Sequence, residues 1–137
     1  DLNFLGYEIS QSAWQQFVAD SLAYCKSFDI VAVCGSLPRG VTPDLFADWL
    51  KQLHQADVKV VLDSSHAALT AGLSARPWLV KPNHRELEAW VGYTLNSLEE
   101  IVSAAKKLKA QGIANVIISM GAQGSVWSVP AILWWRA

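Results

Sequence analysis

A chain of 137 residues has the length of one domain, and chains of this size bury roughly 68% of the surface they expose when unfolded. A composition of 52% hydrophobic and 17% charged residues excludes the disordered class. A net charge of −1, with 11 basic and 12 acidic residues spread along the chain, excludes a basic stripe for nucleic acid or an anionic membrane, so any anion must be held by a local site.

The spacing predicts a first helix from about Ser12 to Ser27. Ser12 and Gln15 fit a capping box, and Trp14, Phe17, Val18, Leu22 and Cys25 fall on one face. The apolar run Asp29–Cys34 lacks alternation, as expected of a strand covered on both faces. It ends in the turn-rich Gly35-Ser36-Leu37-Pro38-Arg39-Gly40. Cys25 and Cys34 match neither a metal spacing nor a disulfide framework, and Cys34, inside its apolar run, reads as a buried reduced thiol. Thr42 as N-cap and Pro43 at the first helical position open a second helix that buries Leu45, Trp49, Leu50 and Leu53.

Val58–Leu62 reads as the second strand and runs into Asp63-Ser64-Ser65, where Asp63 suits the N-cap of a short helix over His66–Gly72, with ligand contact the alternative. A third strand around Trp78–Val80 leads into Lys81-Pro82-Asn83 and a helix from Asn83 carrying Leu87, Trp90 and Val91. Ser97 and Glu100 form a capping box for a helix with Ile101, Val102, Ala105 and Leu108 inward. Its last turn holds Lys106, Lys107 and Lys109, and Gly112 ends it. Val116–Ile118 is the fourth strand, and Val126–Trp135 reads as a hairpin turning near Pro130-Ala131. No run is long and apolar enough for a membrane helix and no signal-peptide pattern stands out, so a cytoplasmic protein with no membrane partner is expected.

Strands alternating with helices through short connections imply an α/β fold of Rossmann-like, doubly wound type, a mostly parallel sheet with helices on both faces. Ligands bind such sheets beyond the carboxyl ends of the strands. Four strand ends here are polar or glycine-rich: 35–40, 63–65, 81–86 and 119–124. Lys81, Asn83 and Glu86 supply an ammonium, an amide and a carboxylate beside a helix N-terminus, a set that suits a magnesium–polyphosphate. The same Asn83 and Glu86 also fit a plain capping box. In Ser119-Met120-Gly121-Ala122-Gln123-Gly124 the glycines allow backbone amides close to a phosphate, or simply make a hairpin turn. Ser36 suits a sugar hydroxyl, and Arg39 either a phosphate or solvent. His54, His66 and His84 match no zinc spacing. His54 reads as exposed, while His84 stands near the phosphate region. A dinucleotide-dependent oxidoreductase is disfavoured, because no first-strand glycine fingerprint is present.

Gly-Ser-Leu-Pro, Asp-Ser-Ser, Lys-Pro-Asn-x-x-Glu and Ser-x-Gly-x-x-Gly after four successive strands resemble the ribokinase-like carbohydrate kinases. The likeness is to the phosphofructokinase-B group and, through Ala47-Asp48-Trp49-Leu50 and Trp78–Asn83, to its 1-phosphofructokinase branch. It runs from about Asp1 to Val129, with Leu5 in place of a proline in the opening Asp-x-Asn-x-Pro-Gly stretch. The resemblance implies ATP-dependent phosphorylation of a sugar phosphate, fructose 1-phosphate to fructose 1,6-bisphosphate, with ATP and Mg2+. Tagatose 6-phosphate kinase and 6-phosphofructokinase activity are alternatives within the family, and a non-catalytic α/β fragment that at most binds nucleotide is one outside it. By motif, Ser36 and Arg39 would hold the sugar phosphate, Lys81 and Asn83 the ATP phosphates. Glu86 would organise magnesium through water, and Ser119, Gly121, Ala122, Gln123 and Gly124 would form the nucleotide loop. The family's N-terminal sugar-binding and lid portion, through which its members would form a homodimer, has no counterpart here. Neither has its C-terminal Gly-Ala-Gly-Asp, which carries the catalytic Asp and the anion hole. The expectation is therefore a partial ribokinase-like domain over residues 1–137, catalytically incompetent alone, with the catalytic Asp beyond Ala137 and an apolar tail, Ile132–Trp135, built to pack on further elements.

Overall fold

The structure is a computed structural model that describes residues 7–128 and the backbone of residues 132–135. The first helix, α1 (Gln11–Cys25), is capped by Ser10, whose Oγ accepts the Ala13 N–H at 3.1 Å. The cap thus lies two residues before the expected Ser12. Ile9 explains the shift: its N–H donates to the Arg39 carbonyl at 2.8 Å and its side chain packs on the core, so the chain is pinned in extended form up to Ser10. Strand β1 (Ile30–Cys34) leads to α2 (Pro43–Gln55), with Thr42 and Pro43 at its cap and first position as read from the sequence. Trp49, Leu50 and Leu53 are buried there and Phe46 joins them, while Leu45 is only half-buried. Trp14, Phe17, Phe46 and Trp49 make an aromatic cluster with centroids 5.1–5.9 Å apart. The Trp49 Nε1–H donates to Ser21 Oγ at 2.9 Å, and this ties α2 to α1.

The chain continues through β2 (Lys59–Asp63), α3 (His66–Leu73), β3 (Leu79–Val80), α4 (His84–Val91), α5 (Leu98–Ala110) and β4 (Asn115–Ser119). A single 3-10 turn at Gly121–Gln123 then leads into β5 (Ser125–Ser128), which pairs with β6 (Ile132–Trp135). Ser97 caps α5 as expected, but Glu100 Oε2 accepts the N–H of Asn96 rather than that of Ser97. Lys107 and Lys109 stand in the last turn of α5, and Gly112 follows in the left-handed region at φ 98°.

The sheet has the order β1-β2-β3-β4-β5-β6, parallel through β4 and antiparallel for the last two strands. The α/β class and the mostly parallel sheet are those the sequence predicts. The distribution of helices differs. When a sheet grows in one direction, right-handed crossovers put every connecting helix on the same side. Gly72 of α3 stands against both Leu62 of β2 and Leu50 of α2, and a Cβ built on it would meet the side chains of both. On that side Val33, Val60, Leu62, Val80, Val116, Ile118 and Val126 are buried. Among the described residues the opposite face is open: Ile30 and Trp127 are 50% and 42% exposed, and Val61, Leu79 and Ile117 are half-buried.

Cys34 falls on this open face and is exposed, which corrects its reading as a buried thiol. An unalternating apolar run reports strand propensity, but with the connecting helices on one side of the sheet, Ile30, Ala32 and Cys34 of β1 lack cover among the described residues. Cys25 is the buried cysteine, and desolvation pushes its thiol above the ordinary range. The pairing of β5 with β6 fits the expected hairpin. Its turn at Pro130-Ala131, the opening 1–6 stretch and the packing of the Ile132–Trp135 side chains lie outside the described residues. No helix among the described residues is long and apolar enough to cross a membrane.

Candidate functional site

Strands β1 to β4 run parallel, so their carboxyl ends share one edge of the sheet. There Gly35, Ser36, Asp63, Ser64, Ser65, Lys81, Asn83, Glu86 and Ser119 line one open cavity of about 350 Å³. Five residues proposed from sequence, Ser36, Lys81, Asn83, Glu86 and Ser119, therefore converge.

The local geometry follows from the strand ends. Gly35 takes φ 97°, a conformation that costs a side-chain-bearing residue roughly 1–2 kcal/mol. Its N–H donates to the Asp63 carbonyl at 3.4 Å, so the start of the Ser36 loop is fastened to the end of β2. The Ser119 N–H donates to the Pro82 carbonyl at 3.1 Å, and a parallel bridge joins Asn83 to Ser119. These contacts extend the β3–β4 pairing beyond Val80 and set Lys81 and Ser119 on the same wall.

Asp63 is not the cap of α3. Ser65 holds that position without a side-chain bond, and the Asp63 carboxylate lies 3.5 Å from the Lys81 ammonium, both side chains about half exposed. An exposed pair of this kind contributes about 0–1 kcal/mol; its effect is to hold a cation and a carboxylate together at the cavity rim. Asn83 and Glu86 form a complete capping box. Asn83 Oδ1 accepts the Glu86 N–H and Glu86 Oε2 accepts the Asn83 N–H, each at 2.9 Å. The two readings of this pair are compatible, because the box engages one oxygen of each side chain and leaves the Asn83 amide N–H groups and the second Glu86 oxygen outside it.

Arg39, Gly121, Ala122, Gln123 and Gly124 are not among the residues lining this cavity. In the turn after β4 the N–H groups of Gln123 and Gly124 donate to the Met120 and Gly121 carbonyls, so these two amides close the turn. Gln123 lines a neighbouring cavity of about 530 Å³ with His84 and Met120. His84 Nε2 lies 2.9 Å from the Leu95 carbonyl and 3.4 Å from Glu88 Oε1, so the histidine fastens the segment after α4. Sequence reasoning assigned no ligand role to Ser64, and the signal available was its place in Asp-Ser-Ser at a strand end aligned with the other three.

The donor set bears on a metal. Among the described residues no group of three or more His, Cys, Asp or Glu is arranged to hold an ion. Two carboxylates, Asp63 and Glu86, do share the cavity with a lysine. Magnesium keeps several of its waters and takes one or two carboxylates plus phosphate oxygens. The residues fit a hydrated Mg2+ arriving with a polyphosphate and do not form a cage for the bare ion.

Comparison with known proteins places this geometry in a family. The model of the pfkB family carbohydrate kinases matches residues 1–131. Over 127 residues the chain is 80% identical to 1-phosphofructokinase of Haemophilus influenzae and 50% identical to that of Escherichia coli K12, in each case covering 93% of this chain and 41% of the relative. The chain thus spans about two fifths of the length of the curated relatives it matches. The crystal structure of phosphofructokinase-2 from Escherichia coli in complex with fructose-6-phosphate superposes with a TM-score of 0.86 at 25% identity, over 96% of this chain and 44% of that one. Motif order, the cavity at the sheet edge and the matched fold agree, and the chain belongs to the pfkB family of carbohydrate kinases.

Proposed function

We propose that the chain carries part of the phosphoryl-transfer site of an ATP-dependent 1-phosphofructokinase, converting fructose 1-phosphate to fructose 1,6-bisphosphate. The observation that carries this reading is the convergence of Ser36, Lys81, Asn83, Glu86 and Ser119 on one cavity. The identity of 80% to a 1-phosphofructokinase supports that substrate over other sugar phosphates. Phosphoryl transfer is catalysed mainly by positioning and by stabilising charge on the transferred group, and the residues present suit those tasks. The Lys81 ammonium and the amide of Asn83, beside the N-terminus of α4, bind and orient the ATP phosphates. The Glu86 carboxylate receives hydrated magnesium, and Asp63 holds Lys81 at the cavity rim. Mg2+, when bound, neutralises charge on the polyphosphate. Ser36 and Arg39 hold the sugar phosphate. Ser119 with the Gly121–Gly124 turn borders the nucleotide, Ser119 from the cavity wall and Gln123 from the neighbouring cavity.

No general base for the sugar hydroxyl is assigned within residues 1–137, and loss of such a base typically costs about 10²–10⁴ in rate. On this proposal the chain is a partial ribokinase-like domain that binds without turning over, and its location is cytoplasmic. Titration calorimetry with Mg·ATP tests the site. Binding should weaken at least about tenfold in Lys81→Ala, the loss of one charge-assisted contact. No binding, or binding indifferent to Lys81→Ala, refutes the reading. Formation of fructose 1,6-bisphosphate from fructose 1-phosphate and ATP by the 137-residue chain would refute its incompetence.

A further inference from the structure

Ser64 stands apart from the other serines of the cavity. Ser36 and Ser65 are exposed and Ser119 is half-buried, whereas Ser64 is only 8% exposed and its Oγ is closed off from solvent. That Oγ is the one buried side-chain polar atom among the described residues with no hydrogen-bond partner. Buried polar atoms are nearly always partnered, because an unmet hydroxyl retains its desolvation cost. Alanine would fill the same space without that cost, so the hydroxyl needs an explanation that the protein alone does not supply. Its position offers one. Ser64 lines the cavity between Asp63, which faces Lys81, and the Ser36 loop, where the nearby cation, amide and helix N-terminus all favour an anion.

We propose that the Ser64 hydroxyl completes its hydrogen bonding by donating to a phosphoryl oxygen of the bound ligand. It is then a binding residue whose partner arrives with substrate. This assignment rests on the phosphate reading of the cavity given above. Two sources share that chemistry, the nucleotide polyphosphate and the sugar phosphate, and separate titrations with Mg·ATP and with fructose 1-phosphate distinguish them.

The test is Ser64→Ala in the 137-residue chain, read by thermal unfolding without ligand and by calorimetry with each ligand. Removing an unmet hydroxyl should leave the ligand-free melting temperature unchanged or raised. The same change should weaken one of the two ligands at least about tenfold, as expected for a lost hydrogen bond to a charged oxygen. A lowered melting temperature without ligand overturns the proposal, since the hydroxyl would then have a structural partner. Wild-type binding that is lost in Lys81→Ala yet untouched in Ser64→Ala overturns this assignment and spares the site. Failure of the wild-type chain to bind either ligand overturns the site and Ser64 with it.

Discussion

Gly40 closes the Ser36 loop and offers a quantitative test of how that loop is held. It lies at φ 87°, and a Cβ built on it would meet the Ile9 carbonyl oxygen at 2.3 Å and the Ile9 nitrogen at 3.1 Å. Those are backbone atoms, fixed by the bond from the Ile9 N–H to the Arg39 carbonyl, so they cannot rotate aside. Gly40→Ala therefore incurs two costs. The left-handed backbone is worth about 1–2 kcal/mol, and displacing packed neighbours about 1–3 kcal/mol, giving roughly 2–5 kcal/mol together. Gly92 is the control, because it ends α4 at φ 86° with nothing within 4 Å of its built Cβ. Gly92→Ala should show the first cost alone, about 1–2 kcal/mol. Urea unfolding of both variants at an unchanged m-value reads the difference directly, and Gly40→Ala should have the lower midpoint. Because the same loop carries Ser36, its binding of fructose 1-phosphate should fall as well. Equal midpoints for the two variants would show that the contact with Ile9 yields freely, and the argument from close approach would fail.

Gly72→Ala sets helix propensity, which favours alanine by about 0.8–1 kcal/mol, against the Leu62 and Leu50 methyl groups 2.4 and 3.1 Å from the new Cβ. Both leucines are fully buried, so overpacking of about 1–3 kcal/mol should prevail. A lower urea midpoint, partly restored by adding Leu62→Val, is expected, and a raised midpoint for Gly72→Ala refutes it. Thiol labelling of the native chain should modify Cys34 alone, with Cys25 reacting only after denaturation, since one is exposed and the other buried with its thiol pushed up. Two fast equivalents, or none, would contradict the placement of these residues.

Much of the fold is readable from local pattern. Thr42-Pro43, Asn83 with Glu86, and Ser97 announce helix starts through hydrogen bonds made within three residues, and the structure forms them. The convergence of Ser36, Lys81, Asn83, Glu86 and Ser119 also follows from sequence, because parallel strands leave their carboxyl ends at one edge. What pattern misses is set by distant partners. Ser10 rather than Ser12 caps α1 because Ile9 is bonded to Arg39, thirty residues away in the chain. Asp63 faces Lys81 instead of capping α3, a choice that depends on the β2–β3 pairing. The open face under Cys34 and Trp127 follows from strand order, which the hydrophobic pattern of a single strand does not encode. The glycine turn stays off the cavity for a related reason: two of its amides are used in closing the turn, and composition does not reveal that.

The reciprocal bonds between Asn83 and Glu86 make one pair of side chains answer to two masters. A ligand that recruits the Glu86 carboxylate draws on the group that secures the first turn of α4, so occupancy and the integrity of that turn are thermodynamically linked. Truncating either residue would forfeit about 0.5–2 kcal/mol of cap before any ligand is added, and a loss of affinity there would mix fraying with lost contact. Lys81, held among the described residues by its half-exposed partner Asp63, is where binding can be disturbed with the scaffold left standing.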